Sequence, residues 1–130
     1  MKYDLVKFQG IGGKMSERDD LIRRTKSFAV RILKLVDALP NTASGRAIAN
    51  QISRSGTSVG ANYRAARRGR SKKEFIAKLG IVVEEVDETV YWLELIVETG
   101  MLPTTKVSDL LDEAAQLTRI FAKARKTARS

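Results

Sequence analysis

Between Asp37 and Glu74 the chain holds no acidic residue, yet it carries Arg46, Arg54, Arg64, Arg67, Arg68, Arg70, Lys72 and Lys73. On a helix, at about 100° per residue, Arg46, Arg54, Arg64 and Arg68 fall within roughly 80° of one another. A second acid-free stretch follows Glu113, with Arg119, Lys123, Arg125, Lys126 and Arg129. Concentrated cations with no acids among them are the electrostatic footprint of phosphate binding. Aromatic interleaving among them is poor, with Tyr63 near the first group, which gives little support to stacking on single-stranded bases. Contacts to a nucleic-acid backbone without base readout fit better. The candidate contact residues are Arg54, Arg64, Arg67, Arg68, Arg70, Lys72 and Lys73. The alternative is a solvated face that only keeps the protein in solution.

Other chemistry finds less support. The acids gather later, as Glu84, Glu85, Asp87, Glu88, Glu94 and Glu98. A carboxylate-bridged di-metal bundle would need Glu-x-x-His pairs, and the chain has no His. Glu84/Glu88 and Glu94/Glu98 are i,i+4 pairs that read as a solvated or subunit-facing surface. The lack of Cys excludes disulfides, thiolate zinc sites and a thiol nucleophile. Without His there is no Ser-His-Asp triad and no imidazole acid or base. Gly10-Ile11-Gly12-Gly13 matches neither GxxxxGK[ST] nor GxGxxG and reads as part of a flexible arm over residues 1–15. The expectation is a protein that is not an enzyme and takes no cofactor or metal.

The elements that must carry these charges are helical. Over 130 residues, 24 Lys+Arg against 15 Asp+Glu give a net charge of +9, with 43% hydrophobic residues. That suits one globular domain, over residues 16–130, rather than a disordered chain. No apolar run approaches the roughly 18 residues of a membrane span, and the start lacks a signal-peptide core. A cytoplasmic location without membrane contact is expected.

Helical spacing predicts four segments. The first, Ser16 to Leu39, has a stripe of Leu21, Thr25, Phe28, Ile32, Leu35/Val36 and Leu39. The second, Ser44 to Arg68, has a small and polar stripe of Ile48, Ile52, Ser55, Val59, Asn62/Tyr63 and Ala66. Gly56 and Gly60 within it predict close packing or a kink, and Ser55 and Asn62 should find partners across the core. Ser71 with Glu74 predicts a capping box for the third segment. Its stripe is Phe75, Leu79, Val82, Val86, Val90, Leu93 and Val97, ending near Gly100. The fourth, Thr104 to Lys126, turns Val107, Leu110/Leu111, Ala114, Leu117 and Phe121 inward, capped by Thr104 or Thr105. Short connections predict an all-α, antiparallel, up-down-up-down four-helix bundle. Ile81, Trp92 and Leu95 project from the third helix away from its core stripe. They predict an interface between copies in a homo-oligomer.

Two stretches resemble a known family. They are Gln51-Ile52-Ser53-Arg54-Ser55 through Ser58-Val59-Gly60-Ala61-Asn62-Tyr63-Arg64, and Ser71-Lys72-Lys73-Glu74-Phe75-Ile76-Ala77-Lys78-Leu79. Both look like proteins encoded in intervening sequences of bacterial 23S ribosomal RNA genes, the S23 family. Glu84 to Thr89 and Tyr91-Trp92-Leu93 fit a subgroup of it, and the likeness covers about residues 20–125. Many members have Ala-Glu-Gly after the Asn, where this chain has Arg64-Ala65-Ala66 after Tyr63, so no role of that glutamate carries over. The resemblance implies an antiparallel four-helix bundle assembled as a homopentamer. It also implies kinship with the accessory variability determinant of diversity-generating retroelements, a basic pentamer that binds nucleic acid and partners a reverse transcriptase. A second reading follows, in which the bundle is an adaptor or accessory subunit of a nucleic-acid-processing enzyme. It brings no catalytic residues.

Overall fold

The computed structural model describes residues 15–130, with side chains from residue 20 onward. The glycine-rich arm expected over residues 1–15 lies, apart from Met15, outside the described residues. Helix α1 spans Met15–Asp37, α2 Ala43–Arg67, α3 Lys72–Glu98 and α4 Ser108–Arg129, with a 3-10 turn at Thr104–Lys106 before α4. No strand is present among the described residues.

Local chemistry sets the ends. Past α1 the chain closes with turns onto the carbonyls of Leu35 and Val36 and reaches Pro40, which cannot continue a helix. Thr42 caps α2 by accepting the Gly45 N–H at 3.0 Å. Glycine is required there, because a Cβ on residue 45 would stand 2.0 Å from the Pro40 carbonyl oxygen. Ser71 Oγ accepts the Glu74 N–H at 3.1 Å and caps α3, which is the forward half of the expected capping box. Gly100, with φ +74°, ends it in the left-handed conformation that side chains disfavour. The expected threonine cap of α4 is corrected. Val107 occupies the N-cap position with no side-chain hydrogen bond, and Thr104 lies in the preceding 3-10 turn. Full burial of Val107 under the bundle places the break there instead.

Each helix buries the side its spacing marks out: Leu21, Phe28 and Ile32 on α1, Ile52, Val59 and Tyr63 on α2, Phe75, Val82, Val86 and Leu93 on α3, and Leu117 and Phe121 on α4. On α3 the core side is rotated from the expected one, because Thr89 and Ile96 are buried while Val90 and Val97 are only half-buried. That rotation follows from α3 packing against both α2 and α4, which widens its buried face.

The small side of α2 explains the close approach to α1. A Cβ on Gly56 would stand 2.8 Å from Ile32 Cγ2, and one on Gly60 would stand 3.2 Å from Thr25 Oγ1. These pairs run in opposite order along the two helices, so α1 and α2 are antiparallel. On its other side Ser55 Oγ accepts the Thr89 hydroxyl of α3 at 2.9 Å, the partner across the core that its burial demands. Asn62 behaves otherwise. Its Nδ2 donates to the Ser58 carbonyl of its own helix at 2.9 Å, because Tyr63 takes the buried position beside it. Between α1 and α4, which touch least among the adjacent helices, Arg24 reaches Glu113 at 2.8 Å.

Gly56→Ala tests the contact with Ile32. Overpacking costs about 1–3 kcal/mol, whereas alanine recovers roughly 1 kcal/mol of helix propensity. The expected outcome is a lower urea midpoint with an unchanged slope, and a smaller loss for Gly60→Ala, where a hydroxyl rather than a branched carbon faces the new methyl.

Candidate nucleic-acid interface

Antiparallel topology brings distant cations together. The C-terminal half of α2 and the start of α3 meet at the Gly69 turn, and α4 returns so that its last turns lie beside them. Tyr63 and Phe121, with ring centroids 5.1 Å apart, tie α2 to α4 near this end. Arg125 of α4 lies across α3, so close that a Cβ on Gly80 would stand 3.0 Å from its Nε. That Nε is buried without a hydrogen-bond partner. The two acid-free stretches, separate in sequence, therefore share one end of the bundle.

Arg64 and Arg68 are exposed and Arg67 is half-buried on the last turns of α2. With Ile22 of α1 the three arginines line a surface cavity of about 260 Å³. Arg70, Lys72 and Lys73 follow, all exposed around the start of α3. Lys72 and Lys73 sit in its first turn, where the helix dipole is positive and backbone N–H groups are unsatisfied. Cations there repel the dipole, and an anion would relieve both. Lys123, Lys126 and Arg129 extend the surface along α4. Acids at this end are few among the described side chains: Glu74, and Asp20, which is paired with Arg23. The first turn of α1 adds Glu17 and Asp19 in sequence. A larger cleft of about 420 Å³ lies at the opposite end between α1 and the start of α4. Leu35, Leu102 and Leu110 line it with cations and Asp109, so it lacks the unmixed charge of the first.

Arg54 does not join the cluster. It stands ten residues before Arg64, about 15 Å along the helix. Its guanidinium pairs with Glu88 and, at 3.3 Å, with Glu85 on α3. The hydrogen bond that Arg54 donates to Glu88 raises the Arg54 pKa above its ordinary value. Glu88 in turn accepts from Trp92 Nε1 at 3.1 Å, and that bond, followed by the one from Arg54, lowers its pKa. Sequence spacing put Arg54 on one face with Arg64, but the neighbouring helix supplies its counter-ions.

The expected oligomer surface is divided by the same network. Trp92 and Leu95 are half-buried and pack against the edge of the core, while Ile81 stays exposed. Tyr91, 54% exposed, meets Trp92 edge-on with centroids 5.0 Å apart. Val30 and Leu33 of α1 are also exposed, 44% and 45%, at positions off the core stripe that helical spacing does not single out. No group of three or more Asp and Glu side chains is placed to hold a metal ion among the described residues. Nor is any described helix long and apolar enough to cross a membrane.

A family model described as 23S rRNA-intervening sequence protein matches residues 17–123. The chain belongs to that family. A solved member-like structure from Bacteroides thetaiotaomicron, described as a protein of unknown function from the S23 ribosomal protein family, shares 35% identity with it. The likeness covers 82% of this chain and 98% of that one, with a TM-score of 0.77. Comparison with curated proteins gave no significant match. The four-helix architecture is thus shared with a relative.

Linkage predicts a pH signature for the α2–α3 network. Glu88 is lowered on folding, so its stabilisation is present above the usual glutamate value of about 4.3 and is lost as pH falls through the lowered one. Urea midpoints measured from pH 6 to about pH 2 should fall less steeply for Glu88→Gln than for the wild type, after both are normalised at neutral pH.

Proposed function

We propose that this family member binds RNA or DNA through phosphate contacts at its basic end, as a homo-oligomer and without catalysis of its own. The observation that carries the reading is convergence: Arg64, Arg67, Arg68, Arg70, Lys72 and Lys73 stand beside the last turns of α4, around a cavity that three arginines line. Fixed cations of this density release counterions when they meet a phosphate backbone, and that release drives binding with little sequence preference. Arg54 contributes less, since Glu85 and Glu88 already neutralise it. Ile81, Trp92 and Leu95 belong to the assembly surface, and repetition of the basic end around an assembly raises affinity through avidity. The resemblance to the retroelement accessory protein, a basic pentamer that binds nucleic acid, points the same way.

Binding to a duplex oligonucleotide, titrated across salt, tests it. Affinity should fall linearly on logarithmic axes, and Arg64, Arg67 and Arg68 replaced together by Ala should reduce the slope by up to about one unit per lost phosphate contact. Binding indifferent to salt would sink the proposal. Partners captured from lysate should be lost after nuclease treatment. A protein partner that survives digestion supports the adaptor reading instead.

A further inference from the structure

Among the described residues, the exposed large hydrophobic side chains are Val30, Leu33, Ile81 and Tyr91. They form two patches on different helices, and the patches carry opposite charge. On α1, Arg23, Lys26, Val30, Leu33 and Asp37 recur at intervals of three and four, and all are exposed. Lys34, also exposed, adds a further cation beside Leu33. On α3, Ile81, Glu84, Glu88, Tyr91 and Leu95 recur at the same spacing, with Asp87, Glu94 and Glu98 exposed around them. Between Lys78 and Lys106 the chain has no cation at all. Each stripe has the spacing of a helix–helix seam; the α1 stripe is exposed throughout, and on α3 Ile81, Glu84 and Tyr91 are exposed beside the half-buried Glu88 and Leu95.

We propose that these two faces dock on each other between copies, the α1 face of one chain against the α3 face of the next. The inference rests on the assembly reading above and names the surface that Ile81 and Leu95 meet. Charge decides against the symmetrical alternative. An isologous dimer would set each patch on itself, acids against acids or cations against cations. A heterologous contact sets opposite charges around apolar centres. Because α1 and α3 stand diagonally across the bundle, a chain that uses one face still offers the other to a further copy.

The fold also fixes the register. Ile32 of α1 meets Gly56 on α2, and the neighbouring Ser55 bonds Thr89 of α3, so residues 32 and 89 lie at one level along the bundle. Thr25 meets Gly60, one turn of α2 nearer the basic end. Helices α1 and α3 run in the same direction, both antiparallel to α2. Bundles standing side by side therefore bring Leu33 level with Tyr91, and Lys26 level with Glu84.

Light scattering at micromolar concentration, at low and moderate salt, tests the pairing. Wild type should be an oligomer; Lys26→Glu and Glu84→Lys should each reduce its mass, with helical content unchanged by circular dichroism. The double variant should restore it. The chain has no Cys, so Leu33→Cys and Tyr91→Cys add single thiols for a short bismaleimide. Either variant alone should stay uncross-linked, and the two refolded together should give a covalent dimer. A monomeric wild type overturns the assembly reading itself. An oligomer untouched by both charge reversals, unrestored by the double variant, or cross-linked by either single thiol overturns the α1–α3 pairing and leaves assembly standing.

Discussion

Helix α2 meets α1 through glycine and meets α3 through a pair of buried hydroxyls, and these two contacts set the level of the bundle. Ile32 sits where Gly56 has no side chain, so the axes approach closely enough for Phe28 and Val59 to be fully buried. On the opposite side the Thr89–Ser55 bond is directional, unlike the apolar contacts around it, and is made in one register only, while each hydroxyl also keeps a carbonyl of its own helix, Glu85 for Thr89 and Ile52 for Ser55. With α2 held on both sides, the positions of α3 and α4 follow from short connections.

Charge segregation is a consequence of that register. The turn between α2 and α3 and the end of α4 are both basic, and antiparallel packing makes them neighbours. The middle and end of α3 are acidic, and the Arg54 pairs with Glu85 and Glu88 belong to that region. One molecule thus has a basic end and an acidic flank. At physiological ionic strength the Debye length is about 8 Å, so cations crowded at one end act together while those spread over a surface would not. The +9 of the chain is an uneven charge whose density is highest where α3 begins.

The sequence was most legible where periodicity and charge were strong. Phe28, Ile32, Val59, Leu79 and Phe121 declared themselves by spacing, and Ser71 announced the start of α3. Thr89 and Ile96 did not, because a helix packed on two neighbours buries more than one stripe and a threonine looks like surface until its partner is known. The same limit governed the site. Arg64 and Arg68 were visible as a basic face, but the company of Lys123 and Lys126 depends on where α4 returns. Arg54 looked equivalent to Arg64, and the counter-ions that distinguish them come from another helix. The pairing of Trp92 with Glu88, at i,i+4, was within reach of the sequence; the exposure of Val30 and Leu33 required the whole surface.

The central claim is that one end of the bundle grips a phosphate backbone. Amide NMR of the labelled chain, with a duplex oligonucleotide added stepwise, tests it most directly. The account predicts shifts concentrated in residues 64–73 and 119–129, with the acidic part of α3 unaffected. Shifts centred on residues 84–98, or none at saturating oligonucleotide, would contradict it.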